Sequence, residues 1–255
     1  MKIMYDGTEF CGWQYQPNGF SVQEAVEKTL TRLTGAKTSV TGCSRTDAGV
    51  HAAEFYFNFF SDTKIPAEKM AFAFNNHLET KSISAICAYD VKKDFNSRFS
   101  STGKRYIYKI NNSKIPNPFT DRYSWFFPYK LNLSLMNKAA SYFIGEHDFS
   151  SFMAAGGSQK TTVRKINRCE ISKNPEWDSN IVITIEANAF LYNMVRIITG
   201  TLCEVGVGRI LPEDIPLIIK SCSRSQAGMT APPQGLHLNR VFYPDEIFKQ
   251  ETSIL

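Results

Sequence analysis

Ser21-Val22-Gln23-Glu24-Ala25-Val26-Glu27-Lys28-Thr29-Leu30-Thr31-Arg32-Leu33-Thr34-Gly35 opens on a capping box and closes on a glycine. The Ser21 side chain can accept from the third helical amide while Glu24 reaches back to the cap. Val22, Ala25, Val26, Leu30 and Leu33 then recur at helical spacing until Gly35 stops the run, which predicts an amphipathic helix. Upstream, Lys2 to Tyr5 reads as a strand; downstream, Ser39 to Cys43 reads as another. Phe55, Phe57 and Phe59 alternate with Tyr56 and Asn58, the period of two expected of a strand with one buried face. Pro66 opens a helix through about His77, and Ile83 to Tyr89 closes the unit as a strand, giving the order βαββαβ.

The second half repeats that order with an insertion. Strands are expected at Lys104 to Ile110, Lys165 to Ser172, Ile181 to Ala187 and Leu238 to Tyr243. Helices are expected near Leu133 to Ile144, Phe190 to Val205 and Pro212 to Lys220. A split βαβ pattern of this kind is the ferredoxin-like arrangement. The expected fold is therefore α+β: two ferredoxin-like halves, 1–100 and 101–255, forming a mixed, mainly antiparallel central sheet with helices packed on one face. The repeat is one of pattern and not of residue identity.

With 255 residues, 43% of them hydrophobic, the chain can bury a sizeable core as one large domain or two ordinary ones. The start runs straight into the polar turn at Asp6-Gly7, so no signal peptide and a cytoplasmic location are expected. The most apolar stretch, Ile181 to Leu202, is broken by Glu186, Asn188, Asn193 and Arg196, which argues against a membrane span. Six scattered cysteines without zinc-ligand spacing read as reduced thiols, mostly filling the core. No glycine-rich phosphate loop or dinucleotide fingerprint is present, so no cofactor and no metal are expected.

The formal charge of +5 is compatible with a nucleic-acid partner without requiring one. Its distribution says more. Between Lys92 and Lys114 stand seven basic residues (Lys92, Lys93, Arg98, Lys104, Arg105, Lys109, Lys114) against a single acidic one, Asp94. Lys160, Arg164, Lys165 and Arg168 form a second cluster. Each reads either as a stripe that tracks phosphates or as an ordinary solvated surface.

The stretch richest in chemistry is Gly42-Cys43-Ser44-Arg45-Thr46-Asp47-Ala48-Gly49-Val50-His51-Ala52, between two expected strands. Small residues and two glycines let the backbone turn tightly while charged and hydroxyl groups project from it. Taken alone, an Arg-x-Asp in a turn is more often a local ion pair or an Asp side-chain turn than a catalytic site, and His51 more often a hydrogen-bonded loop residue.

Arg45-Thr46-Asp47-Ala48-Gly49-Val50-His51-Ala52 resembles the signature of the tRNA pseudouridine synthase A family, in which the Asp is catalytic. The resemblance extends to Tyr5-Asp6-Gly7-Thr8 with Gly12-Trp13-Gln14, to Arg98-Phe99-Ser100 and to Arg105-Tyr106-Ile107-Tyr108. It continues through Gly145 to Phe149 with Ser151-Phe152, Asn188 to Arg196 and Thr230 to Leu236, so it covers nearly the whole chain in order. Cys43-Ser44 departs from it, standing where the family commonly has small residues ending in glycine; Cys11 stands where a His or an aromatic is more usual.

The resemblance implies cofactor-free isomerisation of uridine at positions 38, 39 and 40 of the tRNA anticodon stem-loop, in a homodimer with an RNA-binding cleft between the halves. The bond from C1′ to N1 must break, the base must turn, and C1′ must rejoin at C5. Asp47 either attacks C1′ or draws a proton from C2′ to give a glycal. An ionised carboxylate inside a protein needs a cation or hydrogen bonds. By similarity that cation is Arg196, while Arg45 contacts the flipped RNA or its phosphate. From the residues alone Arg196 reads as a solvated helix position.

Tyr106, Tyr108 and Ile110 share one face of an expected strand, and that face reads as core. By resemblance Tyr106 stacks on the target base, which must be flipped out of its stem to be reached, and its hydroxyl helps to remove the C5 proton. Phe190, Leu191 and Tyr192 are candidates for lining the pocket, and His51 and Leu191 are taken as substrate contacts. Two rival readings are a non-catalytic RNA-binding module and a glycoside hydrolase. The first has no use for a carboxylate facing anionic RNA. The second generally needs a second carboxylate, and none accompanies Asp47 in its loop.

Overall fold

A computed structural model describes residues 1–157, 159–174 and 180–248. The chain divides into two units, one formed by Met1–Thr102 with the segment that begins at Leu238, the other by Gly103–His237.

In the first unit the elements are β1 (Lys2–Tyr5), α1 (Val22–Thr34), β2 (Thr41–Gly42), β3 (His51–Asn58), α2 (Ala67–His77) and β4 (Ile83–Cys87). β1 lies between β3 and β4 and is antiparallel to both, with Ile3 opposite Phe55 on one side and Ala85 on the other. β2 pairs antiparallel with the far end of β3. Ile3, Phe55, Val22, Val26, Leu30 and Phe74 are all completely buried, so the alternating strand positions and the apolar helix stripes meet in one core. Each such side chain contributes about 1.5–3 kcal/mol through loss of water contact.

α1 starts where its sequence predicts. The Ser21 hydroxyl accepts from the Glu24 amide at 3.1 Å, and Gly35 closes the helix in the left-handed region at φ 73°. Only half of the capping box forms, because the Glu24 carboxylate is taken by Lys28, one turn on, at 2.7 Å. β3 differs from its expectation in two ways: it begins at His51, and Tyr56 on its expected open face is buried. The reason is a second aromatic layer from the end of the chain, where Tyr243 meets the Tyr56 ring edge-on at 5.1 Å and Phe248 stacks on it at 5.6 Å.

The second unit contains β5 (Gly103–Asn111), β6 (Trp125–Phe126), α3 (Leu133–Ser141), β7 (Gly145–Asp148), β8 (Val163–Lys173), β9 (Asn180–Ala187), α4 (Met194–Gly206) and α5 (Ile215–Ser221). β9 is central, antiparallel to β5 on one side and to β8 on the other; β7 adds antiparallel to β8, and β6 pairs parallel with the end of β5. α3 packs on α4 and β8, and α4 packs on β5. β10 (Leu236–Phe242) leaves this unit, and from Leu238 it belongs to the first, beside β3, where the Val241 amide donates to the Glu54 carboxylate at 3.0 Å. The fold is thus α+β with mixed, mainly antiparallel strand pairing.

The stretch from Ile181 to Leu202 is accordingly a strand, a turn and the first part of a helix. Among the described residues no helix is long and apolar enough to cross a membrane. Cys43, Cys169 and Cys203 are buried free thiols, and burial pushes Cys169 up to about 12.

Candidate active site

The Arg45-Thr46-Asp47 stretch follows β2 and is held from three directions. The Trp13 amide donates to the Thr46 carbonyl at 3.1 Å, and the Val50 amide donates to the Asp47 carbonyl at 3.2 Å. The peptide planes before and after the Asp47 α-carbon are therefore each fixed by a hydrogen bond. Gly12 makes the first contact possible: at φ +108°, a β-carbon there would lie 2.5 Å from the Thr46 carbonyl oxygen. Gly49, at φ 76°, supplies the turn that returns the chain to β3. Thr46 is buried and its hydroxyl meets the Tyr5 hydroxyl at 2.8 Å. Asp47 is half-buried and Arg45 exposed, so the loop hides its hydroxyl and presents its charges. Cys43, one of the departures from the family pattern, is completely buried, with its amide donating to the Tyr56 carbonyl at 2.8 Å.

His51 lies at the floor of the loop, 2% exposed. Its Nδ1 is 3.1 Å from the Gly7 amide nitrogen and 3.2 Å from an Asp6 carboxylate oxygen. An amide can only donate, so the Gly7 bond requires a bare Nδ1 and a neutral ring; a protonated Nδ1 would exchange that bond for one to Asp6. Gly7 is pressed against the same segment, since a β-carbon there would stand 2.0 Å from the Val50 carbonyl oxygen. The tip of β1 thus holds the loop on both sides of Asp47, through Tyr5 at Thr46 and through Gly7 at Val50 and His51. No local pattern announces these pairings, because the partners are more than forty residues apart.

In the second unit Tyr106, opposite Ile185 on β9, is 6% exposed, and its ring meets Phe190 edge-on at 4.9 Å. Tyr108 and Ile110 on the same face are completely buried, as the alternation predicts. Leu191 is buried and Tyr192 exposed. The long helix starts four residues later than expected, because Asn193 adopts a left-handed conformation at φ 58° and the Met194 amide closes a turn onto the Leu191 carbonyl at 3.1 Å.

Arg196 sits on the first turn of α4 and is half-buried. Its Nη1 donates to Asn193 Oδ1 at 2.8 Å and its Nε to the Ala231 carbonyl at 2.7 Å. The Ala231 amide returns a bond to the Arg196 carbonyl at 3.1 Å, and the Tyr108 hydroxyl, its phenol pushed up by burial, donates to the Pro232 carbonyl at 2.7 Å. Gly235 lies where a β-carbon would be 2.6 Å from the Tyr108 ring. Thr230 to Leu236 therefore acts as a brace that fixes the Arg196 side chain, a role not visible in the sequence.

Strand alternation breaks up both basic clusters. Lys104 is buried, and Arg105 donates through Nε to Glu186 at 2.6 Å. Arg164 is buried with Nη1 on the carbonyls of Thr161 and Val163, and Arg168 pairs with Glu170 and Glu186. Lys92, Lys93, Arg98, Lys114, Lys160 and Lys165 remain exposed.

Residues 1–100 and 139–244 match the family model described as tRNA pseudouridine synthase. A protein named tRNA pseudouridine synthase A from Thermoanaerobacter sp. (strain X514) is 48% identical over 241 residues, covering 94% of this chain and 97% of that protein. One of the same name from Ruminiclostridium cellulolyticum is 44% identical over 243 residues, covering 95% and 98%. A solved structure described as a Cbf5-Nop10-Gar1 complex aligns with a TM-score of 0.38 at 11% identity over 96% of this chain and 59% of the other, a likeness too slight to bear on fold or function. Matches of this extent define an RNA-modifying isomerase. The chain belongs to the tRNA pseudouridine synthase family, and as a member it converts uridine to pseudouridine in tRNA.

Proposed function

We propose that the enzyme acts on uridines 38, 39 and 40 of the tRNA anticodon stem-loop, with Asp47 as its single catalytic carboxylate. The observation that carries this reading is the setting of Asp47: a half-buried carboxylate whose flanking peptide planes are both hydrogen-bonded, inside the segment that bears the family signature. Rigid placement matters because the reaction needs one oxygen at a fixed point relative to the sugar. The glycosidic bond breaks, C1′ rejoins at C5, and the C5 proton leaves as N1 becomes protonated, so the product is an isomer with no atom gained or lost. Asp47 initiates this by attack on C1′ or by taking the C2′ proton.

The family resemblance assigns the remaining roles. Arg196 supplies the positive charge that keeps Asp47 ionised, and the brace from Ala231 and Asn193 is consistent with a side chain held for that purpose. Tyr106 stacks on the flipped base, Leu191 lines its pocket, Arg45 meets the RNA, and His51 supports the substrate contact from beneath the loop. Two ferredoxin-like halves with an RNA-binding cleft between them, a homodimeric assembly and a cytoplasmic location belong to the same reading.

The test is to incubate the protein with unmodified tRNA carrying uridine at 38 to 40, without added metal or nucleotide, and to map pseudouridine by selective chemical labelling. Asp47→Asn preserves size and removes the charge, so the rate should fall on the order of 1000-fold or more, about 4 kcal/mol of transition-state stabilisation, while tRNA binding persists. Modification at other uridines would reassign the substrate; loss of binding in Asp47→Asn would make Asp47 a structural residue.

A further inference from the structure

We infer that Tyr5 is a positioning residue for the reaction, acting on Asp47 through the hydroxyl of Thr46. The inference rests on the reading of Asp47 as the catalytic carboxylate. Tyr5 is the last residue of β1, on the same face as Ile3, and its ring packs against Phe55 with centroids 5.6 Å apart. A phenylalanine would serve that packing equally well. What the tyrosine adds is a hydroxyl, 4% exposed as a residue, that reaches past the core to Thr46 Oγ1 at 2.8 Å.

Thr46 is the residue through which the restraints on Asp47 converge. Its carbonyl is fixed by the Trp13 amide at 3.1 Å, and the close approach of Gly12 leaves no room behind it. With the carbonyl and the side chain both tied, the Thr46 backbone cannot rotate without breaking one of two buried hydrogen bonds. The peptide plane from Thr46 to Asp47 is then held in one orientation, which sets one side of the Asp47 α-carbon. The second peptide plane is set by the Val50 amide on the Asp47 carbonyl, 3.2 Å away. Tyr5 acts in this scheme by reducing the angular freedom of the residue that carries the reacting carboxylate, and displacement of a reacting group by about 1 Å can cost on the order of 100-fold in rate.

The experiment compares Tyr5→Phe, Thr46→Val and Thr46→Ser with the unaltered protein in steady-state reactions on tRNA, with Tm and tRNA affinity measured alongside. Tyr5→Phe and Thr46→Val should each lower kcat by about 10- to 100-fold with KM within roughly twofold, and Thr46→Ser, which keeps the hydroxyl, should restore most of the rate. The double variant Tyr5→Phe/Thr46→Val should be no slower than either single one, because both remove the same interaction. In the Asp47→Asn background, Tyr5→Phe should change the residual rate by less than about twofold, since its effect passes through Asp47.

An unchanged kcat in Tyr5→Phe, additive losses in the double variant, or a loss explained wholly by KM or by unfolding at the assay temperature would overturn the inference. If Tyr5→Phe does not fold, Thr46→Val and Thr46→Ser decide the question by the same rates. The underlying reading fails separately: full activity in Asp47→Asn would dismiss both, whereas an inactive Asp47→Asn beside a fully active Tyr5→Phe would dismiss only the inference.

Discussion

At the scale of single residues, two glycines with positive φ illustrate how the same backbone feature serves different ends. Gly35 ends α1 at φ 73° with nothing within 4 Å of where a β-carbon would be. Gly12 at φ +108° would place that carbon 2.5 Å from the Thr46 carbonyl oxygen. Alanine at either position forces an L residue into an unfavourable conformation, at a cost of about 1–3 kcal/mol. Only at Gly12 must the clash be relieved by moving the segment that carries Asp47. Gly35→Ala should therefore lower Tm and leave kcat as it was, whereas Gly12→Ala should lower both. Thermal melts with single-turnover rates on tRNA separate the two. An unaffected rate in Gly12→Ala would mean that the loop relaxes without moving Asp47.

At the scale of elements, α1 is the clearest case of a structure written locally. Ser21, completely buried, accepts the Glu24 amide, and Ser21→Ala should cost about 1 kcal/mol in a denaturant or thermal melt, with no effect on the rate per folded molecule. A cost near zero would show that packing of Val22, Val26 and Leu30 sets the helix start without the cap. The elements read most reliably are those with strong periodicity: β1, α1, α2, β5, β8 and β9 all lie within a few residues of their expected bounds. Those missed have little periodicity to read. β7 is Gly145-Glu146-His147-Asp148, a polar edge strand defined only by pairing with β8, and β6 is two residues long. α4 was expected too early because Phe190 and Leu191 continue the apolar pattern, while the left-handed Asn193 that interrupts it is a backbone choice. The candidate site divides similarly. Its charged groups stand in short recognisable segments, but the Tyr5 hydroxyl, the Gly7 amide and the Ala231 brace are tertiary partners that no local pattern announces.

At the scale of the whole molecule, a net charge of +5 understates how selectively the basic groups are used. Lys104 and Arg164 are buried, while Arg105 and Arg168 both pair with Glu186. These four are committed to the fold, although in the sequence they are indistinguishable from their neighbours. Lys92, Lys93, Lys114, Lys160 and Lys165 are exposed and can meet phosphates at little cost in stability, whereas the exposed Arg98 guanidinium lies over the Phe99 ring at 5.4 Å. Each phosphate contact releases condensed counterions, so the logarithm of affinity falls with the logarithm of salt by about 0.7 to 0.9 per contact. Replacing Lys92 and Lys93 together by glutamine should weaken tRNA binding, reduce the salt slope by about 1 to 2, and leave Tm nearly unchanged. Arg105→Gln should do the opposite, leaving the slope intact while lowering Tm, because it removes a partner from Glu186. Titrations of tRNA at several salt concentrations provide both numbers. A slope unchanged by the lysine pair would move the electrostatic footprint to the exposed lysines of the second unit, Lys114, Lys160 and Lys165, where the same substitutions would then find it.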